Sequence, residues 1–258
     1  MKHFLLAVFF VVAGCSETNL VPPGAGITPT HHADFRHDTL ALTWQPGFCL
    51  PDKPGHSCTS DQPKTPLIGL HGLWASEPTS LEAQGVPVQK WWMQGCGLLD
   101  GGQEQTLSLR PETSAALSAV MPHFEHPLVT HEYTKHVQCF GYPADDFFVS
   151  AMTLRSRFEA SAFGRYLANN VGYRVQRDEL LAQFKHLSGV TAERGLQFQC
   201  SKRADGQAVL SQIWMTLDPQ KLDSFPQSEA FMSSPFDQNS CPASFLVPSW
   251  SMVPDAIR

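Results

Sequence analysis

Two short segments of the chain carry side chains that can move a proton. Residues 70–74 read Leu-His-Gly-Leu-Trp, so an imidazole stands three residues before an indole ring. His71 could donate a proton beside the aromatic surface of Trp74, or it could be a core histidine packed beside a tryptophan. Taken alone, the segment favours the core interpretation, because short motifs produce many false positives.

The second segment, residues 131–136, reads His-Glu-Tyr-Thr-Lys-His. On a helix, Glu132 and His136 lie on one face, and His131 and Lys135 likewise share a face. Four ionisable groups within six residues are dense for a chain in which only 16% of residues are charged. Taken alone, however, the pattern is also that of a solvated helix face with an ordinary ion pair.

The same segment resembles a zinc-binding helix only in part. A zinc peptidase places its second histidine four residues after the first, but Lys135 occupies that position, and a cation is a poor metal ligand. His136 comes one residue later and is expected to point away from His131. We therefore predict no metal and no cofactor, and a metal-dependent hydrolase built on His131, Glu132 and His136 is the competing hypothesis.

Composition limits the classes of function. The chain has 258 residues, of which 42% are hydrophobic, as expected for a folded domain rather than a disordered chain. Its formal net charge of −6 provides no basic surface for holding duplex DNA by charge alone. Protonation of its 11 histidines would make the net charge positive, so acidic pH would favour approach of a polyanion such as RNA.

The first residues predict export. Residues 4–13 are an apolar run too short to span a bilayer, which needs about 20 residues, and they suit a signal peptide. Residues 12–16, Val-Ala-Gly-Cys-Ser, resemble a bacterial lipobox. We expect a signal peptide over 1–14, a lipidated Cys15, a flexible tether over 15–36, and an outer-membrane lipoprotein in the periplasm or cell envelope. An ordinary signal cleaved near residues 13 and 14 is the alternative.

Six cysteines remain after Cys15. An even number in an exported chain predicts three disulfides, for which fifteen pairings exist. The chain has no Cys-x-x-Cys pair, which argues against thiolate ligation of zinc. We expect Cys49 and Cys58 to close a short loop. The other four are Cys96, Cys139, Cys200 and Cys241.

The remaining pattern predicts a single α+β domain over 37–258, with a central and largely antiparallel sheet packed by several helices. Alternation and β-forming residues predict strands at 39–44, 66–70, 196–201, 208–217 and 243–247. Helical spacing predicts helices at 111–121, 130–140, 145–158, 163–169 and 177–187, with Thr130 as a cap. Asp205-Gly206 marks a hairpin turn.

Together, the two segments resemble the active-site blocks of the ribonuclease T2 family. They lie some sixty residues apart, and Cys139 follows the second block. Residues 42–49, 91–93 and 95–96 extend the resemblance, and residues 132–141 look most like the bacterial periplasmic ribonuclease I branch. Where the family favours Pro, Trp and Gly, this chain has Ala75, Val129 and Val137.

The resemblance implies a metal-independent endoribonuclease that cuts single-stranded RNA by transphosphorylation, leaving 2′,3′-cyclic phosphate ends. It implies His136 as the base and His71 as the acid, although the sequence by itself does not distinguish these roles. Lys135 would stabilise charge on the phosphoryl oxygens, and Glu132 would orient the imidazole of His136 or donate to the phosphate. A non-catalytic binding lipoprotein on a nuclease-like fold is a further alternative.

The resemblance also implies substrate contacts. His131 would hold phosphate, Trp74 would stack on a base, and Gln45 would contact the substrate. Trp91 and Trp92 are further candidate stacking surfaces. We expect RNA rather than DNA as the partner, low base specificity, and a monomer.

By the same resemblance, Cys96 pairs with Cys139 and Cys200 with Cys241, which leaves Cys49 for Cys58.

Overall fold

A six-stranded sheet forms the centre of the described chain. The computed structural model describes residues 24–50, 58–100, 106–124 and 127–253. The strands run in the order β2-β1-β5-β6-β3, and β4 pairs with β5. Every strand pair is antiparallel except β5 with β6, which meet in parallel at a single position. The predicted α+β class with a largely antiparallel sheet is confirmed. The strands are β1 (Asp38–Trp44), β2 (Ile68–Ala75), β3 (Arg174–Gln176), β4 (Leu196–Lys202), β5 (Ala208–Leu217) and β6 (Ser244–Leu246).

Eight α-helices accompany the sheet within the described residues. Buried aromatic side chains such as Trp44, Phe140 and Phe148 fill the core. The helices are α1 (Gln45–Phe48), α2 (Thr79–Ala83), α3 (Val88–Gln94), α4 (Pro111–Val120), α5 (Leu128–His136), α6 (Ala144–Ala160), α7 (Ala162–Ala168) and α8 (Arg177–Ser188). Short 3-10 turns lie at Gly95–Leu98, Gln138–Phe140, Leu222–Ser224, Ser228–Ala230 and Trp250–Met252.

The two chemical segments differ from prediction in their boundaries. The predicted strand over 66–70 continues to Ala75, so the first segment lies within β2 rather than after it. The predicted helix over 130–140 begins at Leu128, after Pro127, and ends at His136. Thr130 is therefore inside the helix and does not cap it. The short elements α2, α3 and β3 were not predicted, because none is long enough to show a clear period.

Part of the expected tether packs against the domain. Ala25 is fully buried, and its backbone N–H donates to Asp223 Oδ1 at 2.6 Å. The backbone N–H groups of Thr30 and His31 donate to the carbonyl of Phe140 at 3.0 and 3.1 Å. The prediction of a flexible tether is therefore wrong for residues 24–36, because the domain buries Ala25 and accepts hydrogen bonds from several backbone N–H groups of this segment. The predicted signal peptide and Cys15 lie outside the described residues. In the described part of the chain, no helix has the length and apolarity to cross a membrane.

Three disulfides are present, and their pairing is the one that the resemblance implies. They join Cys49 to Cys58, Cys96 to Cys139, and Cys200 to Cys241. The second of these links the turn after α3 to the turn after α5. It therefore fastens the end of the helix that carries the second chemical segment.

Candidate active site

A β-bulge in β2 turns His71 and Trp74 toward the same side of the sheet. Gly72 pairs with Ala41 of β1 and Leu70 pairs with the next residue of β1, so His71 has no partner. His71 and Trp74 both line one cleft although they lie three residues apart, whereas a regular strand with its period of two places residues three apart on opposite faces. Bulges re-aim side chains in this way. The bulge thus leaves His71 and Trp74 lining one cleft of about 720 Å³.

Helix α5 supplies four more side chains to this cleft. His131, Glu132, Lys135 and His136 all line it. The expectation that His136 points away from His131 is wrong, since their ring centroids are 6.1 Å apart. Five residues on a helix are about 140° apart around the axis. The side chains of His131 and His136 leave the helix in different directions, but both bend toward the cleft between them, and their rings meet there.

The indole of Trp74 connects the two elements. Its ring centroid is 5.3 Å from that of His71 and 5.3 Å from that of His136. Its Nε1–H donates to Glu132 Oε2 at 2.5 Å. Two imidazoles from distant parts of the sequence therefore flank one aromatic ring in one cleft, with the ammonium-bearing Lys135 on the same wall.

Glu132 is the buried anion of the cleft. Its side chain is 2% exposed, and its Oε1 lies 3.4 Å from His71 Nε2. Burial opposes ionisation, but the contact with His71, the positive charge that His71 and His136 carry when protonated, and the Trp74 N–H outweigh it and lower the pKa of Glu132. The carboxylate is therefore anionic at neutral pH and can orient the imidazole of His71.

His136 has the protonation state that a general base needs. Burial lowers its pKa to about 4, and although the Glu132 carboxylate opposes this, the neighbouring cation of Lys135 adds to it. At neutral pH the ring is therefore uncharged and can accept a proton. Burial and the charge of Lys135 also lower the pKa of His131, against the opposing effect of Glu132.

Two glycines allow these side chains to approach so closely. A Cβ on Gly72 would overlap Glu132 Oε2 and lie 2.5 Å from Trp74 Nε1. A Cβ on Gly95 would overlap the carbonyl oxygen of Lys135, and Gly95 also has a φ of +49°, which favours glycine. Neither glycine was predicted to be a functional position.

Gln45 does not belong to the cleft. Its side chain is fully buried at the start of α1, and its Nε2 donates to the carbonyl of Pro66 at 2.9 Å. The structure therefore does not bring the side chain of Gln45 together with the other predicted site residues. The turn of α1 directs the side chain into the protein interior.

Aromatic residues that were uncertain or missed in the sequence extend the cleft. Trp91 is 4% exposed and its Nε1–H donates to the carbonyl of Ala75, so it is mainly a core residue. Trp92 is 40% exposed and lines the cleft with Trp214 and Phe236. Trp214 makes an edge-to-face contact with Trp74 at 5.3 Å. No local pattern marks Trp214 or Phe236, because only the fold brings them to the site.

The positions of His131, Glu132 and His136 remain compatible with the competing hypothesis of a bound metal ion. One potential ligand atom from each of His131, Glu132 and His136 lies within 4.8 Å of the others. Two imidazoles and a carboxylate are a common zinc ligand set. Glu132, however, already contacts His71 and Trp74, so binding a metal would compete with both interactions.

Comparison with known proteins places the chain in a family. The model of the Ribonuclease T2 family matches residues 35–227. Ribonuclease I of Escherichia coli (strain K12) is 28% identical over 239 residues, which cover 84% of this chain and 87% of that protein. Two solved structures share the fold, each with a TM-score of 0.56 and 83% of this chain covered. They are the SF11-RNase of Nicotiana alata (16% identity, all of that chain covered) and RNase NT in complex with 5′-AMP (18% identity, 98% covered). Because the family model matches most of this chain and the solved structures share its fold, the chain belongs to the ribonuclease T2 family.

Proposed function

We propose that His136 and His71 are the general base and general acid with which this chain cleaves RNA. As a T2-type RNA endonuclease, it belongs to a family that acts without metal ions and through a cyclic phosphate. The observation that carries the proposal is the arrangement of both imidazoles around the Trp74 ring, each with its centroid at 5.3 Å.

The cleavage needs one proton removed and one proton delivered. His136 is uncharged at neutral pH and accepts the proton of the ribose 2′-hydroxyl, whose oxygen attacks the adjacent phosphorus. The bond from phosphorus to the 5′-oxygen of the next nucleotide breaks, and His71 protonates that oxygen. The products are a 2′,3′-cyclic phosphate and a free 5′-hydroxyl. DNA lacks the 2′-hydroxyl and cannot react in this way.

The other charged groups of the cleft would act on the phosphate and on the imidazoles. Lys135 stabilises the negative charge that grows on the phosphoryl oxygens in the transition state, and His131 contacts the phosphate. Glu132 holds His71 through its Oε1 and Trp74 through its Oε2. It is therefore a positioning residue for both imidazoles, since the Trp74 ring touches each of them.

Substrate preference follows from the same surfaces. Trp74 is the ring that we propose to stack on a base, and stacking depends little on the identity of the base. We therefore propose low base specificity on single-stranded RNA. Digestion of the four RNA homopolymers at similar rates would support this, and dominance of one of them would contradict it.

One experiment distinguishes the metal-independent mechanism from the metal-dependent alternative. A short RNA is digested in excess EDTA, and the masses of the products are measured by mass spectrometry. We expect full cleavage with 2′,3′-cyclic phosphate ends. Loss of cleavage in EDTA and its recovery with added zinc would instead favour a metal at His131, Glu132 and His136.

The low pKa of His136 predicts activity in acid. The base works only when unprotonated, so kcat/KM should stay high as pH falls and decline near pH 4 rather than near 6.5, the usual value for histidine. Replacing the neighbouring cation in Lys135→Gln should move this limb to higher pH, whatever it does to the maximal rate. A wild-type limb at or above pH 6.5 would contradict the assignment of His136 as the base.

We also propose that the chain is exported and anchored by a lipid at Cys15, as a monomer in the bacterial periplasm or outer membrane. The three disulfides suit an oxidising compartment, and residues 4–16 resemble a lipoprotein signal. Mass analysis of the mature N-terminus tests this proposal. An acylated cysteine would support it, and cleavage without acylation would favour the ordinary signal peptide.

A further inference from the structure

Two exposed aromatic side chains meet at the active-site cleft. Trp92 and Phe236 are 40% and 39% exposed, and their ring centroids are 5.2 Å apart in an edge-to-face contact. Both rings line the same cleft as His71 and His136. Two exposed rings in contact form a contiguous apolar surface, and such a surface in a cleft is typical of a ligand-binding site.

The backbone on both sides of this pair is held in place. Trp92 follows Trp91, which is buried and bonded to the carbonyl of Ala75. The carbonyl of Phe236 accepts hydrogen bonds from Gln197 Nε2 at 3.2 Å and from Ser234 Oγ at 3.0 Å. The rings are therefore presented in advance of binding, which reduces the entropy lost when a ligand is ordered on them.

The sheet connects the pair to the catalytic residues. Gln197 of β4 lies opposite Trp214 of β5 in the strand register, and Trp214 contacts Trp74 edge to face. Gln197 in turn bonds to the loop that carries Phe236. The cleft thus continues along the sheet from the Trp74 ring, past Trp214, to the pair.

The surroundings of the pair suit a base better than a phosphate. The cleft-lining residues nearest to it in sequence carry no formal charge; they are Val88, Trp91, Met232, Ser233, Pro235 and Gln238. The charged residues of the same cleft come from other segments: Lys135 from α5, and Arg36, Glu77 and Glu82 from residues before α3, where Arg36 is paired with Glu82 at 2.8 Å. A neutral aromatic surface stacks on nucleobases, whereas phosphates require positive charge or N–H donors.

From these observations we propose that Trp92 and Phe236 form an additional nucleobase subsite, which stacks on a base of single-stranded RNA beyond the nucleotide at Trp74. The proposal rests on the ribonuclease function given above and adds to it. Phe236 lies outside residues 35–227, which match the family. Trp92 lies within those residues, so the pair combines one residue of the region that matches the family with one residue outside it.

The test compares short and long substrates. The full chain is assayed on a dinucleotide and on tetranucleotides extended at either end, and we expect a higher kcat/KM for at least one tetranucleotide. In Trp92→Ala and Phe236→Ala, this advantage over the dinucleotide should shrink by about 5- to 150-fold, the range measured for one base–aromatic stack. Met93→Ala is the matched control, because Met93 is 68% exposed beside Trp92 and does not line the cleft.

An abasic scan identifies the bound base. The tetranucleotide is made with one base removed at each position in turn, and each version is assayed with the wild type and with Phe236→Ala. At the position that stacks on the pair, removing the base and changing Phe236 should be strongly non-additive. Additive effects at every position, with both proteins folded, would overturn the proposal.

Other outcomes also decide the matter. A wild type that cleaves the dinucleotide but gains nothing from added nucleotides refutes the subsite and leaves the ribonuclease function intact. A wild type that cleaves neither substrate contradicts the proposed function itself. A concentration-dependent dimer that Trp92→Ala abolishes, without any effect of substrate length, would show that the pair is an interface between copies of the chain.

Discussion

Changing either His71 or His136 to phenylalanine is expected to lower kcat/KM for RNA by about 10²- to 10⁴-fold, the usual contribution of a positioned acid or base. Phenylalanine keeps a planar ring beside Trp74 but cannot carry a proton. The folded state should survive, because both side chains are only partly buried. The control is His186→Phe, since His186 is exposed on α8 and does not line the cleft.

A second substrate separates the acid from the base. A nucleoside 3′-phosphate ester with a good leaving group, such as an aryl alcohol, needs little help from an acid. The defect of His71→Phe should therefore shrink on this ester, whereas the defect of His136→Phe should remain. The reverse pattern would exchange the two roles, and cleavage of RNA that survives both changes would remove both residues from the mechanism.

The chemistry of the site could be predicted from the two histidine segments only through their resemblance to one family, whereas the geometry of the site depended on the fold. The two histidine segments and the six cysteines suggested a site, and their resemblance to one family supplied the roles and the disulfide pairing. The bulge at His71 was not predicted. The predicted strand ended at Leu70, and only the pairing of β2 with β1 shows the shift in register beside His71.

Other features had no local trace. Gln45 follows a strand in the expected way, and only the packing around α1 shows that its side chain is enclosed. Trp92 and Phe236 are separated by 144 positions, and hydrogen bonds from Gln197 and Ser234 hold the second of them in place. Such pairs arise from tertiary structure, so propensity and spacing cannot reveal them. The packing of residues 24–36 against the domain is another case, because a polar segment rich in proline and glycine resembles a linker.

Gly72→Ala is expected to lower kcat/KM by about 10²-fold, the loss that a displacement near 1 Å can cause at an active site. The added methyl group would overlap Glu132 Oε2 and crowd Trp74 Nε1. Glu132 cannot retreat easily, because it is buried and lies on α5. Its hydrogen bond to Trp74 and its contact with His71 would both be disturbed, although neither histidine is changed.

The matched control is Gly97→Ala, because a Cβ at Gly97 meets no atom within 4 Å and its φ lies outside the left-handed region. It should keep wild-type activity and a similar melting temperature. Shortening the carboxylate in the double variant Gly72→Ala, Glu132→Asp should recover part of the lost rate, because the shorter side chain frees space for the methyl group. If Gly72→Ala is folded and fully active, the two imidazoles keep their catalytic positions without the present position of Glu132. The proposed positioning role of Glu132 would then be wrong. If Gly72→Ala loses activity only through unfolding, its melting temperature will fall together with kcat/KM, and the double variant will recover both. The activity per folded molecule would then equal that of the wild type.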